Sequence, residues 1–238
     1  MVQSLQSRSA GDRITLPKNE AKHLTTVRRL SEGAAIELFD EAGRVSMAVL
    51  RQADGWSAEL SETPREQMSA GATFWVATPK GDRASWLAEK LSELGAARWV
   101  PLVSKRTVVV PGEGKLERFR RLSLESAKQC RRAGVMGVDA PATLHEALHA
   151  VANESAIVLS TQHENREIPV LGSISPDAAR HVFIGPEGGW SDEELDAFET
   201  AGIAAVSLGE NVLRIETAAL AAAAILHSRL ERRDTMSS

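Results

Sequence analysis

Three groups of residues have types and spacings that could do chemistry. His145-Glu146-Ala147-Leu148-His149 is a literal H-E-x-x-H. On a helix its histidines share one face, as a zinc ion needs, with Glu146 as base. Thr143 and Glu146 also form a capping-box pattern, which would turn the Glu146 carboxylate back onto the helix start. A third ligand would have to be Glu164 or Glu167, and nothing local distinguishes either. The reading is a surface helix without metal. The other two groups are FIGPEGGWSDEEL (Phe183 to Leu195) and LGENVLRIETAAL (Leu208 to Leu220). Each follows an apolar run and opens a helical pattern, so both belong at the carboxyl edge of one sheet. Gly185, Gly188 and Gly189 would let a ligand approach the backbone closely. A phosphate fits poorly, because Glu187, Asp192, Glu193 and Glu194 crowd that positive helix end. Such acidity suits a cationic cofactor.

Two common nucleotide fingerprints are missing. The Gly185 loop reads G-P-E-G-G rather than G-x-G-x-x-G, and Gly114-Lys115 lacks the earlier glycine of a phosphate-binding loop. The net charge of -4 hides two basic stretches: seven basic residues against two acidic ones between Lys115 and Arg132, and six against three from Met1 to Ala35. Local patches of this kind are compatible with a polyanion, whatever the overall charge.

The elements that must hold these residues follow from the rhythm of the chain. A length of 238 residues suits one large domain or two unequal ones. In the first part, Ile14 to Leu16, Ile36 to Asp40, Arg44 to Leu50 and Trp56 to Leu60 read as strands, with a helix capped by Asn19 and ending near Gly33. The polar stretch from Ser61 to Ala72 reads as a linker, which places domains at 1–68 and 72–238. The second part alternates strand and helix. Thr73 to Ala77, Trp99 to Val103, Ala156 to Ser160, His181 to Gly185 and Val206 to Gly209 read as buried strands. Helices carry Leu87, Leu91 and Leu94, the basic run from Leu116 to Cys130, a second capping box at Ser191 and Glu194, and an alanine-rich end from about Glu216 to Arg229. This is the pattern of an open parallel α/β sheet with ligands at the strands' carboxyl ends. Cys130 is the single cysteine, the longest apolar run spans nine residues, and the first thirteen residues have no apolar core. A cytoplasmic protein without disulfide, membrane span or secretory signal is expected.

The paired motifs, GPEGG and LG-x-x-VLR-x-ETA, resemble the SPOUT class of S-adenosylmethionine-dependent RNA methyltransferases. More narrowly, the chain resembles the RsmE family, which methylates ring nitrogen N3 of a uridine in small-subunit ribosomal RNA. HLTTVRRL (His23 to Leu30) with IELFD and Gly43 is similar to that family's N-terminal PUA-like β-barrel. Lys80 to Arg106 is similar to its first βα unit, and Ser126 to Arg132 to its basic helix end. The chain departs from the family after Cys130, where Gly-Arg-Asn and a proline give way to Arg131-Arg132-Ala133-Gly134-Val135-Met136.

The resemblance implies an α/β methyltransferase domain with a trefoil knot, a homodimer, and ribosomal RNA or the small ribosomal subunit as partner. S-adenosylmethionine would lie on Gly185, Pro186, Glu187, Gly188, Gly189, Leu208, Gly209, Leu213, Arg214, Thr217 and Ala218. His23, Arg28, Arg29, Arg131 and Arg132 are the residues expected to touch RNA. Arg214 and Arg132 are candidates for stabilising a developing anion or placing RNA, against a role in structural salt bridges. Glu216 is left as base, orienter or helix-start acid. Other classes remain open at this point: a SPOUT enzyme with a different product, a non-catalytic RNA-binding protein, or a zinc hydrolase built on the H-E-x-x-H.

Overall fold

The computed structural model describes the chain except for residues 1–3, 41, 67–70, 131, 133, 162–167 and 237–238. It divides into two compact units, residues 1–69 with 131–135, and residues 70–130 with 136–238.

The first unit is an antiparallel sheet. β1 (Arg13–Thr15) is followed by α1 (Lys18–Lys22), then β2 (Ala35–Phe39), β3 (Arg44–Gln52), β4 (Trp56–Leu60) and β5 (Arg65–Glu66). The strands pair in the order β1-β4-β3-β2, with β5 also on β3. Alternation explains the fold: Ile36, Leu38, Ala48, Leu50, Ala58 and Leu60 point inward to one core. Asp40 closes the β2–β3 turn from a buried position, accepting hydrogen bonds from the backbone amides of Leu5 and Arg44, both at 2.9 Å. The expected cap at Asn19 is not there. α1 begins two residues earlier, at Lys18 behind Pro17, whose fixed φ leads into the first turn without any side-chain cap. β5 also lies within the stretch read as linker. Its Arg65 and Glu66 pair with Val45 and Arg44 of β3.

The second unit is a parallel sheet covered on both faces. Its strands are β6 (Thr73–Val76), β7 (Arg98–Val103), β8 (Gly137–Val138), β9 (Ala142–Thr143), β10 (Ala156–Leu159), β11 (His181–Ile184) and β12 (Ala204–Val206). The order is β12-β10-β11-β6-β7-β8, with β9 also on β7, and these strands all pair in parallel. The covering helices are α2 (Arg83–Glu93), α3 (Glu113–Cys130), α4 (Leu144–Ala150), α5 (Asp192–Thr200) and α6 (Ile215–Met236). Burial on both faces accounts for the unbroken apolar runs. Phe74 and Val76 of β6 pack with Leu87, Leu91, Phe119, Ala219 and Ala222 under α2, α3 and α6. Trp75, between them in sequence, packs with Leu144, Phe183 and Phe198 under α4 and α5.

Two element ends differ from expectation. The last strand stops at Val206, because Ser207 leaves the ladder to bridge Val170 and Gly209 takes a φ of 130°, outside extended backbone. α6 runs on past Arg229 to Met236, through charged residues of good helix propensity. Both capping boxes form as the sequence predicts: Thr143 with Glu146 opens α4, and Ser191 with Glu194 opens α5.

Candidate cofactor and RNA site

Register decides where the site is. Val76, Ile184, Leu159 and Val206 stand level across β6, β11, β10 and β12. The loops that leave these strands therefore start from one edge. The chain also reverses along the sheet here: β11 lies inside β10, and β12 returns outside it. α5 then follows β11 onto one face, and α6 follows β12 onto the other. Such a reversal opens a crevice at the carboxyl ends of the strands.

A pocket of about 230 Å³ lies there. Its floor is apolar, with Ile184, Leu159, Val206, Leu208 and Ala218, and its walls are the two loops singled out in the sequence. Gly185, Pro186, Glu187, Gly188, Gly189, Leu208, Leu213 and Ala218 all line it. Gly209, Arg214 and Thr217 do not. Arg214 is exposed between the pocket-lining residues Leu213 and Ile215, and no hydrogen bond or ion pair of its side chain joins it to another described residue. Glu216 is buried at 5% exposure. Its Oε1 accepts from Arg83 at 3.3 Å, and its Oε2 has no hydrogen-bond partner among the described residues. The Thr78 hydroxyl, two residues past β6, is likewise buried without a partner there.

Sequence reasoning missed the residues that brace the pocket. Trp190 closes one wall, donating from its indole nitrogen to the Leu159 carbonyl at 3.0 Å and meeting Phe198 edge to face at 4.9 Å. Arg106, in the loop after β7, donates to the carbonyls of Gly188 at 2.7 Å and Trp190 at 3.1 Å. Thr161, Asn211 and Val212 complete the walls. The only signal for this group was position at a strand end. Trp190 adjoins the motif, and Arg106 lies just past an apolar strand.

Lys105 meets two of the acids at the start of α5. Lys105 donates from its backbone amide to Glu194 at 2.7 Å and from Nζ to Glu193 at 2.8 Å. The Lys105 hydrogen bond, then that of Ser191, holds the Glu193 carboxyl below its ordinary range. With these acids on the helix end, phosphate is disfavoured as expected from the sequence.

The other sequence candidates fall elsewhere. His23, Arg28 and Arg29 are exposed in the first unit. A π-helical turn from His23 to Val27 precedes the two arginines, and Arg29 has a φ of 54°. Arg132 is half-buried and engaged, and it groups with the first unit. Arg131 lies outside the described residues, as do Glu164 and Glu167. In H-E-x-x-H, both histidines are exposed, and Glu146 binds the Thr143 amide at 2.8 Å. That bond draws the Glu146 carboxyl below its usual range.

Comparison with known proteins decides the family. A model of the RNA methyltransferase domain matches residues 66–227, and one of the RNA methyltransferase PUA domain matches residues 16–63. Ribosomal RNA small subunit methyltransferase E of Synechocystis sp. is 33% identical over 225 residues, covering 92% of this chain and 74% of that protein. Its namesake in Mycobacterium tuberculosis is 31% identical, with 89% and 86% covered. The chain belongs to the ribosomal RNA small subunit methyltransferase E family. The same enzyme from Neisseria gonorrhoeae, solved with bound S-adenosyl methionine, superposes with a TM-score of 0.78 at 29% identity, covering 95% of this chain and 96% of that one. In this family member the pocket fits such a group: an apolar floor for a base, a glycine-rich wall, and no lysine or arginine among its described lining residues.

One expectation changes in its reason. A Cβ added at Gly185 would come within 2.9 Å of the Trp190 ring, so the excluded neighbour is this braced indole and not ligand volume. At Gly188 a Cβ would meet the flexible Arg106 side chain at 3.2 Å. Gly185→Val is therefore expected to displace Trp190 and lower S-adenosylmethionine affinity by roughly 100-fold or more, the cost of overpacking a fitted wall. Gly188→Ala should cost about tenfold or less, since Arg106 can shift. Calorimetric titration of variants whose circular dichroism matches the parent checks both. Undiminished affinity at Gly185→Val would remove this loop from the site.

Proposed function

We propose that the chain transfers the methyl group of S-adenosylmethionine to ring nitrogen N3 of a uridine in small-subunit ribosomal RNA. The observation that carries this reading is the convergence of both motif loops on one pocket at the chain-reversal edge of the sheet. S-adenosylmethionine, when bound, supplies an electrophilic methyl on a sulfonium. In such a transfer an N–C bond would replace the C–S bond, S-adenosylhomocysteine would be left, and the imide proton would pass to water.

The chain's residues have two tasks. The first is placement, which supplies much of the barrier reduction in an in-line transfer. Gly185 to Gly189, with Leu208 and Leu213, would hold the cofactor against Leu159, Ile184 and Ala218. The second task is to favour the anion that develops on the uracil imide. Arg214 suits it, being exposed at the pocket rim with no described partner to occupy its guanidinium. Glu216 suits the role of orienter better than that of proton acceptor. It is buried, does not line the pocket, and has one oxygen held by Arg83. Arg28 and Arg29, exposed after a π-helical turn, are the RNA grip on the first unit, with His23 beside them. Arg132 belongs to the same grip. The knotted C-terminal path and the homodimer go with this reading through the family.

Mapping of modified nucleosides in small-subunit ribosomal RNA from a deletion strain tests the product. Loss of N3-methyluridine, restored by the gene, is expected. Loss of a ribose-methylated or guanine-methylated nucleoside instead would move the chain to another SPOUT reaction. Arg214→Ala should lower single-turnover methyl transfer by about 100-fold or more, with RNA affinity changed less, as for loss of one preorganised charge-stabilising donor. Wild-type turnover with weakened cofactor binding would make Arg214 a brace of the loop. Replacing Arg28 and Arg29 by Gln should weaken RNA binding and leave cofactor affinity unchanged. The dependence of RNA binding on salt should also flatten, by about one unit of slope for each phosphate that is no longer neutralised. An unchanged salt slope would make this stretch a solvated face.

A further inference from the structure

Arg83 ties the site together from outside the pocket. It is the first residue of α2, past the carboxyl end of β6, the strand next to β11. Its Nη1 lies 3.3 Å from Oε1 of Glu216, at the start of α6. Its Nη2 lies 3.7 Å from Oε1 of Glu187, in the loop after β11. One guanidinium thus divides its two terminal nitrogens between the loop after β11 and the first turn of α6. It does not line the pocket itself.

The two arms differ in character. The Glu216 side chain is 7% exposed, so removing Arg83 would leave a buried acid without its ion-pair partner, which is costly. The Glu187 side chain is 38% exposed, and at 3.7 Å that arm is the looser one. Glu187 lines the pocket and Glu216 does not. Arg83 therefore reaches the ligand side through Glu187 and anchors itself through Glu216. A planar fork can hold both carboxylates at a fixed separation, whereas a lysine ammonium is a single point of charge.

We propose that Arg83 is a positioning residue for the cofactor pocket. By holding Glu216 and Glu187 at once, it sets the distance between the loop after β11 and the start of α6. The proposal rests on the reading of this pocket as the S-adenosylmethionine site. It assigns Glu187 a place in the wall that depends on Arg83, and it gives the buried Glu216 the role of anchor.

The test is calorimetric titration of S-adenosylmethionine into the full chain and three variants, Arg83→Gln, Arg83→Lys and Arg83→Gln with Glu187→Gln, alongside Glu187→Gln alone. Arg83→Gln is expected to weaken binding by about tenfold, the scale of coupling between residues in one ion-pair network. Arg83→Lys should recover part of that loss, because it restores the anchor without the second arm. The double variant should bind no worse than Arg83→Gln, since Glu187 has nothing left to hold it. In methyl transfer, KM for the cofactor should rise while kcat at saturating cofactor changes little. A role in folding alone would lower the apo melting temperature and leave the affinity of the folded protein as it was. Unchanged affinity in folded Arg83→Gln, or losses that simply add in the double variant, would overturn the proposal. Should Arg83→Gln fail to fold, the parent and Glu187→Gln decide, each combined with Arg83→Lys: non-additive losses support the latch and additive ones defeat it. A parent chain that binds no S-adenosylmethionine overturns the site reading itself, a different failure from a parent that binds and a variant that binds equally.

Discussion

The site depends on a single rung of parallel strands. Val76, Ile184, Leu159 and Val206 stand level across four strands, so the loops after them start from one line. A register slip of one residue would invert the faces of a strand, sending Phe183 toward the α6 side and Val182 toward α5. The fit of Phe183, stacked on Trp75 and edge to face with Phe198, opposes this. Hydrophobic packing therefore fixes, at the end of the sheet, the height at which Gly185 and Leu208 meet. The chain reversal adds the second constraint, because α5 and α6 must leave on opposite faces and cannot fill the gap between them.

Electrostatics then decide what the gap accepts. The loop after β11 and the start of α5 carry Glu187, Glu193 and Glu194, and three cations from other elements answer them or brace the loop. Lys105 takes Glu193 and Glu194, Arg106 binds the carbonyls of Gly188 and Trp190, and Arg83 joins Glu187 to Glu216. These cations are engaged with protein. Arg214, by contrast, is exposed between the pocket-lining Leu213 and Ile215 and has no described partner. Neighbours in one motif thus differ in place: Leu213 lines the pocket and Arg214 does not.

Much of this was legible in the sequence, for identifiable reasons. The apolar runs of β6, β10 and β11 are continuous because both faces are buried, and Ser191 with Glu194 and Thr143 with Glu146 mark helix starts by their own chemistry. The glycine motif and the LG-x-x-VLR-x-ETA motif were legible as strand-end loops, and eight of the eleven residues expected to hold the cofactor line the pocket. Local pattern could not reveal the long-range braces. Nothing near Arg83 in sequence points to Glu216, 133 positions away, and nothing near Arg106 points to the Gly188 carbonyl. Asn19 failed as a cap because Pro17 already fixed the entry of the chain into α1. In the H-E-x-x-H pattern the glutamate closes a capping box, as its spacing from Thr143 predicts.

Amide hydrogen exchange of the full chain, with increasing S-adenosylmethionine, tests most directly whether the two loops form one site. The account predicts that exchange slows in residues 185–190 and in residues 208–213 together, with half-maximal protection at the same cofactor concentration in both. Protection in one segment without the other, or protection centred away from this edge of the sheet, would contradict it.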